Sequence, residues 1–117
     1  MALDKEALVR EILGRIADKW TLIILDELED GPHRFSFLQR KIPEISQKML
    51  TQTLRSMESD GLVERTVYPE VPPRVEYKLT KIGFALGEAV CGIWKWAEKH
   101  HKEIEKIREK FRSKNQS

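Results

Sequence analysis

The sequence has few of the features that mark secreted, membrane-spanning or strongly basic proteins. It contains a single cysteine, which excludes an intramolecular disulfide and fits a reducing cytoplasm. Its longest aliphatic run covers only residues 22–25, far fewer than the roughly 20 residues that a membrane-spanning helix requires. The N-terminal segment mixes acidic and basic residues with its first apolar ones, unlike a signal peptide. The net charge of +2 is too small to indicate nucleic-acid binding by itself.

Sequence patterns typical of catalytic or metal sites are also lacking. His33, His100 and His101 do not have the spacing of metal ligands, and neighbouring residues on a helix point in different directions. No glycine-rich phosphate loop, serine nucleophile motif or paired cysteine and histidine stands out. We therefore expect a protein that is not an enzyme and that needs no metal or cofactor.

Apolar residues at helical spacing predict five helices within one domain that spans residues 1–117. Asp18, Ser46 and Thr80 have side chains suited to capping the second, fourth and fifth helices. The Gly31-Pro32 pair should end the second helix, which is apolar on several sides and is expected to be buried. The predicted helices cover residues 4–16, 19–30, 35–42, 47–60 and 81–112, with residues 113–117 fraying.

Between the fourth and fifth helices the pattern changes to that of strands. Val75, Tyr77 and Leu79 alternate with polar residues, and residues 63–68 are rich in β-formers. The proline-rich stretch 69–73 fits a hairpin tip but no central strand. The fold expected is α+β and mostly α: a winged helix-turn-helix in which residues 19–80 form the core and a two-stranded β-hairpin wing.

The fourth helix has the amphipathic pattern of a DNA recognition helix. Its predicted inward stripe is Met49, Leu50, Leu54 and Met57. Polar side chains on its outer face match the hydrogen-bonding groups of base edges, and those near the turn and the wing match phosphates. The candidates for base and near-base contacts are Gln47, Lys48, Thr51, Gln52 and Arg55. The candidate phosphate or wing contacts are Ser46, Arg34 and Arg74, with Lys41 a weaker one.

Each of these features has a structural alternative. A polar outer face can simply be solvated, and Arg74 can pair with Glu70 or Glu76 across the hairpin. A winged helix with a solvated fourth helix would then be a protein–protein interaction module that does not bind DNA. Neither reading is decided by these residues alone.

Three stretches resemble the HxlR-type regulators of the MarR-like winged-helix group, and the resemblance covers roughly Ile16 to Trp96. They are KWTLIIL with a following GP and RF, then ISQKMLTQTLRSMESDGLVER, then YPEVPPRVEYKLT. The resemblance implies a winged-helix homodimer formed by the terminal helices, which would be residues 4–16 and 81–112. It also implies DNA binding through Ser46 to Arg55 and the wing, more often for repression. Many family members carry a cysteine before the KW motif, but residues 1–18 contain none, so a sensing role cannot be carried over.

The long fifth helix contains the remaining candidates. Cys91 fits an inert small apolar residue, with redox sensing as the alternative. Trp94 and Trp96 cannot face the same side, so one is expected in the core or a dimer interface, while Trp94 is also a candidate for lining a ligand pocket. Three glycines inside the helix indicate close approach of another backbone, from the partner subunit or from the same chain. They are Gly83, Gly87 and Gly92.

The sequence thus predicts a homodimeric regulator that binds double-stranded DNA in the cytoplasm, at the nucleoid. Two recognition helices would enter successive major grooves of a near-palindromic operator, about 34–36 Å apart. A small-molecule effector is compatible with this reading, although no residue identifies one.

Overall fold

The computed structural model describes residues 4–116, and it confirms the mostly helical α+β fold. The helix-turn-helix is formed by a short helix and a longer, amphipathic one, and a β-hairpin follows directly. The elements in chain order are α1 (Lys5–Ile16), α2 (Lys19–Glu27), β1 (His33–Arg34), α3 (Phe35–Lys41), α4 (Gln47–Ser59), β2 (Val63–Tyr68), β3 (Arg74–Leu79) and α5 (Lys81–Gln116).

Polar side chains cap the predicted helix starts. Asp18 Oδ1 accepts a hydrogen bond from the Trp20 N–H at 2.8 Å, and Ser46 Oγ accepts one from the Met49 N–H at 3.0 Å. Thr80 Oγ1 accepts the Gly83 N–H at 3.0 Å. Each bond satisfies a backbone donor that has no partner within its own helix, and the three predicted caps are confirmed.

The core lies where α2, α3 and α4 meet the base of the hairpin. Helix α2 contributes Ile24 and Leu25, and Leu28 follows directly after it, but Ile23 is 37% exposed, so the prediction of burial on several sides was wrong for part of α2. That helix also ends at Glu27, before the predicted Gly31-Pro32 stop. The other fully buried side chains come from α3 and α4: Leu38, Leu50, Leu54 and Met57.

Helix α4 buries a narrower stripe than the sequence predicts. Leu50, Thr53, Leu54 and Met57 face the core, whereas Met49 is 38% exposed. Thr53 is accommodated because its hydroxyl donates to the carbonyl oxygen of Met49 at 2.8 Å, within the same helix. The expectation for Met49 was therefore wrong.

The hairpin strands belong to a three-stranded antiparallel sheet with the order β1-β3-β2, so the prediction of a two-stranded ribbon was incomplete. In β1, His33 lies opposite Tyr77 and Arg34 lies opposite Glu76. Strand β3 buries Tyr77 and Leu79 as predicted, but Val75 is only half-buried, like its polar neighbours near the tip. The alternation thus holds only at the base of the hairpin.

The described contacts divide the chain at Gly87 into two compact units. In the first unit, the start of α5 packs so closely that a Cβ on Gly83 would overlap the Leu62 carbonyl oxygen, whereas an added Cβ on Gly87 would meet nothing within 4 Å. Gly83 is therefore required by packing within one chain. The second unit is the rest of α5, which continues to Gln116 instead of fraying from residue 113; residue 117 lies outside the described residues. An added Cβ on Gly92, which belongs to this second unit, would also meet nothing within 4 Å.

Candidate nucleic-acid interface

Helix α4 presents its predicted polar face to solvent. Gln47, Lys48 and Gln52 are exposed, and Ser46 begins the helix with its hydroxyl oxygen accepting the Met49 N–H. That hydroxyl still has its own hydrogen to donate, so capping the helix and contacting a phosphate are compatible. The start of α4 therefore presents several exposed hydrogen-bonding side chains whose orientation is little restricted by packing.

Part of the exposed face of α4 lines a cavity: Thr51, Arg55 and Glu58, four and then three residues apart, share this part of the helix. The Thr51 hydroxyl donates to the Gln47 carbonyl oxygen at 2.9 Å, which leaves its oxygen as an acceptor. Lys48 and Gln52 are also exposed but lie outside this lining; Lys48 is on the same face as Arg55, two turns nearer the start of the helix.

The cavity, about 700 Å³ in volume, lies between α4 and the hairpin. We call it the hairpin groove, and its charged side chains come from β1, α4, β2, the tip and β3. Four guanidinium groups and two carboxylates line it, so it carries a net positive charge although the whole chain is nearly neutral. The charged lining consists of Arg34, Arg55, Glu58, Arg65, Glu70 and Arg74.

Arg74 is held by its own hairpin, as in the structural alternative. Its guanidinium lies 3.1 Å from the Glu70 carboxylate and 3.5 Å from that of Glu76, and it stacks over the Tyr68 ring at 4.0 Å. Only 27% of the side chain is exposed. Among the described residues its Nε is a buried donor without a partner. Two carboxylates thus offset the charge that was expected to contact DNA.

Arg65 is the groove residue that sequence reasoning missed. It lies opposite Tyr77 in the hairpin register and lines the groove. The signal was available: Arg65 is two residues after the buried Val63, so strand alternation places both on one face. The position was missed because residues 63–68 alternate poorly: Arg65 is charged where a half-buried strand normally has an apolar residue.

Lys41 lies outside the hairpin groove, at the end of α3. Its Nζ is 5.7 Å from the centre of the Phe37 ring, on which His33 stacks at 4.0 Å. His33 Nε2 lies 2.8 Å from Asp30 Oδ1, and this hydrogen bond lowers the pKa of Asp30. The structure therefore places Lys41 beside Phe37 and outside the groove that the other predicted phosphate contacts Arg34 and Arg74 line.

Helix α1 leaves an apolar face unpaired in the first unit. None of its residues is buried, and Leu8, Val9, Ile12 and Leu13 are each 44–59% exposed. Such a helix gains little from its own chain, because amphipathic helices are stabilised mainly by packing.

In the second unit, α5 also exposes large apolar side chains. Ile93, Trp94, Trp96, Ile107 and Phe111 are each 58–67% exposed, so neither tryptophan lies in a core. Cys91 is exposed as well, which is not the environment of a buried small apolar residue. None of the helices within residues 4–116 has the length and apolar character needed to cross a membrane.

A family model described as HxlR-like helix-turn-helix matches residues 15–105. The HTH-type transcriptional regulator YtfH of Escherichia coli (strain K12) is 43% identical over 100 residues, which cover 86% of this chain and 79% of that protein. Among solved structures, the transcriptional regulator ytfH from Salmonella typhimurium has a TM-score of 0.79 and 42% identity. This match covers 86% of this chain and 90% of that chain.

A second transcriptional regulator of known structure is similar too. YodB from B. subtilis in its reduced form has a TM-score of 0.70 and 36% identity, covering 85% of this chain and 96% of that chain. The same protein is also solved after diamide treatment. These states belong to YodB; in the present chain the only thiol is Cys91, in α5.

Proposed function

Because the chain belongs to the HxlR-like helix-turn-helix family of transcriptional regulators, we propose that it binds a near-palindromic operator as a homodimer and represses transcription. The resemblance predicted from the sequence is confirmed, and the relatives carry the names of HTH-type transcriptional regulators rather than of enzymes. The observation that carries the proposal is the exposed polar start of the capped α4 beside a net positive groove. Such a protein acts in the cytoplasm, at the nucleoid.

In this proposal the start of α4 enters the major groove. Gln47 and Gln52 offer an amide donor and acceptor that match adenine, and Lys48 matches the acceptors of guanine. Ser46, Arg34 and, more weakly, Lys41 contact phosphates. Thr51 is a candidate for either a base or a phosphate contact, and Arg74 at the hairpin tip stays a candidate for a contact between the wing and DNA.

The dimer is proposed from the apolar faces of α1 and α5. Large aliphatic and aromatic side chains seldom stay exposed in such numbers on a monomer, and burying them against a second copy stabilises both chains. A homodimer in turn predicts a near-palindromic operator, because two-fold symmetry would then relate both protein and DNA. Sedimentation of the full chain should give twice the protomer mass of 13.7 kDa. A stable monomer at micromolar concentration would refute this part.

Selection from a random duplex pool, followed by footprinting, tests the binding itself. Gln47→Ala should lose about 1–3 kcal/mol on the selected site but little on random DNA, because it removes a base contact. Arg10→Ala is the matched control, since this exposed arginine pairs with Glu6 on α1. Repression is tested by a reporter that carries the selected operator, whose output should rise when the regulator is deleted.

The interaction-module alternative predicts a different result. It requires that the wild-type chain bind no duplex even at low salt, where phosphate contacts are strongest. Binding that weakens steeply as salt rises would exclude it.

A further inference from the structure

We propose that Arg34, Arg55 and Arg65 form a three-arginine site for the sugar-phosphate backbone of one DNA strand, inside the hairpin groove. The inference rests on the proposed function and deepens it. It adds Arg65 as a contact, and it assigns Arg55 to the backbone instead of to base reading.

The charges in the groove favour an anion. Arg74 is within 3.1 Å of Glu70, so these two lining groups largely offset each other. The other three guanidinium groups face one carboxylate, that of Glu58, and none of the three forms an ion pair among the described residues. Guanidinium groups bind phosphate oxygens through paired hydrogen bonds, which makes the phosphodiester the ligand of best fit.

The size and position of the hairpin groove favour a DNA strand over a small ion as its ligand. Its volume of about 700 Å³ corresponds to about 20 water molecules, at about 30 Å³ each. One wall is the recognition helix and the other is the hairpin. If α4 lies in the major groove of the DNA, the DNA strand that borders the major groove passes between these two walls of the hairpin groove.

The residues of α4 inside and outside the groove then have different roles. Arg55 lines the groove with Thr51 and Glu58, whereas Gln52 and Lys48, the latter two turns nearer the start of α4, lie outside its lining. A side chain directed at the backbone fixes the position of the protein without reading sequence. Arg55 should therefore affect all duplexes alike, and Gln52 should affect only the selected operator.

Salt dependence of binding measures the site directly. Full-length protein is titrated into a labelled random-sequence duplex by fluorescence anisotropy, between about 50 and about 200 mM salt. Each phosphate contact contributes about 0.9 to the slope of log K against log salt, so Arg34→Ala, Arg55→Ala and Arg65→Ala should each lower the slope by about that amount. Arg65→Lys should keep most of the slope because the charge remains. Arg10→Ala, outside the groove, should leave it unchanged.

A competition experiment separates backbone from base contact at Arg55. Arg55→Ala should weaken binding to the selected operator and to the random duplex by the same factor, while Gln52→Ala should weaken only the operator. Loss of operator preference in Arg55→Ala would overturn its assignment to the backbone. Unchanged slopes in all three arginine variants, with normal wild-type binding, would overturn the three-arginine site but not the proposed function. Absence of wild-type binding would refute the proposed function itself.

Discussion

Alanine at position 83 should destabilise the protein, although alanine forms helices better than glycine does. A Cβ at this position would overlap the Leu62 carbonyl oxygen and lie 3.3 Å from Leu79 Cδ2. The carbonyl is not free to move, because it accepts hydrogen bonds from the Thr80 N–H at 3.0 Å and the Thr80 hydroxyl at 3.2 Å. The first turn of α5 must therefore move away from the segment that follows α4.

The magnitude follows from three opposing effects. Replacing glycine inside a helix gains about 1 kcal/mol. Forcing a methyl group into packed backbone costs about 1–3 kcal/mol. Weakening the two Thr80 hydrogen bonds costs up to about 1 kcal/mol each. Because the overlap is with a backbone atom, which cannot rotate away, the packing cost lies at the upper end of its range, and we expect Gly83→Ala to lower the free energy of unfolding by about 2–4 kcal/mol.

Urea denaturation followed by circular dichroism measures this change, with the protein concentration fixed because the stability of the proposed dimer would depend on it. Gly14→Ala is the matched control. Gly14 is also inside a helix, but an added Cβ there meets nothing within 4 Å, so alanine should stabilise by up to about 1 kcal/mol. If Gly83→Ala were neutral or stabilising like its control, the reasoning from the Leu62 contact would be wrong.

Three further predictions concern caps and pH. Ser46→Ala removes the acceptor of the Met49 N–H, and urea unfolding should show a loss of about 1 kcal/mol that Ser46→Asp largely restores. Thr80→Val removes the hydroxyl that caps α5 and should cost about 2 kcal/mol, whereas Thr80→Ser should cost much less; equal losses would contradict the capping role. The His33 hydrogen bond lowers the pKa of Asp30, so its stabilisation is complete above the ordinary aspartate pKa of about 4 and disappears as pH falls below it. Asp30→Asn should thus flatten the acid side of the stability-versus-pH curve, and an unchanged acid side would refute that assignment.

The helix starts could be predicted from the sequence because capping is local. Asp18, Ser46 and Thr80 act on backbone donors two or three residues away, and nothing distant is needed to recognise them. The order of the five helices and the hairpin was predictable as well, because helical spacing and strand alternation are also local patterns.

Features that depend on distant partners were not predictable in the same way. Strand β1 has only two residues and exists because His33 and Arg34 pair with β3, more than 40 residues later. A two-residue strand shows no alternation. Thr53 replaces Met49 in the core because helix position, rather than hydrophobicity, decides which side chains α4 turns inward.

The two hairpin arginines show why the site needed a structure. In the sequence Arg65 and Arg74 are alike: each is a cation in a β-rich segment with glutamates nearby. The register and the tip give them different surroundings: Arg74 lies between Glu70 and Glu76, whereas Arg65 faces the groove and forms no ion pair with any residue of 4–116. Moving Arg74 to a phosphate would break two ion pairs and its stacking on Tyr68, whereas within that same part of the chain Arg65 has no ion pair to break. The hairpin therefore contributes its available charge through Arg65, and Arg74 is better placed to hold the tip in position.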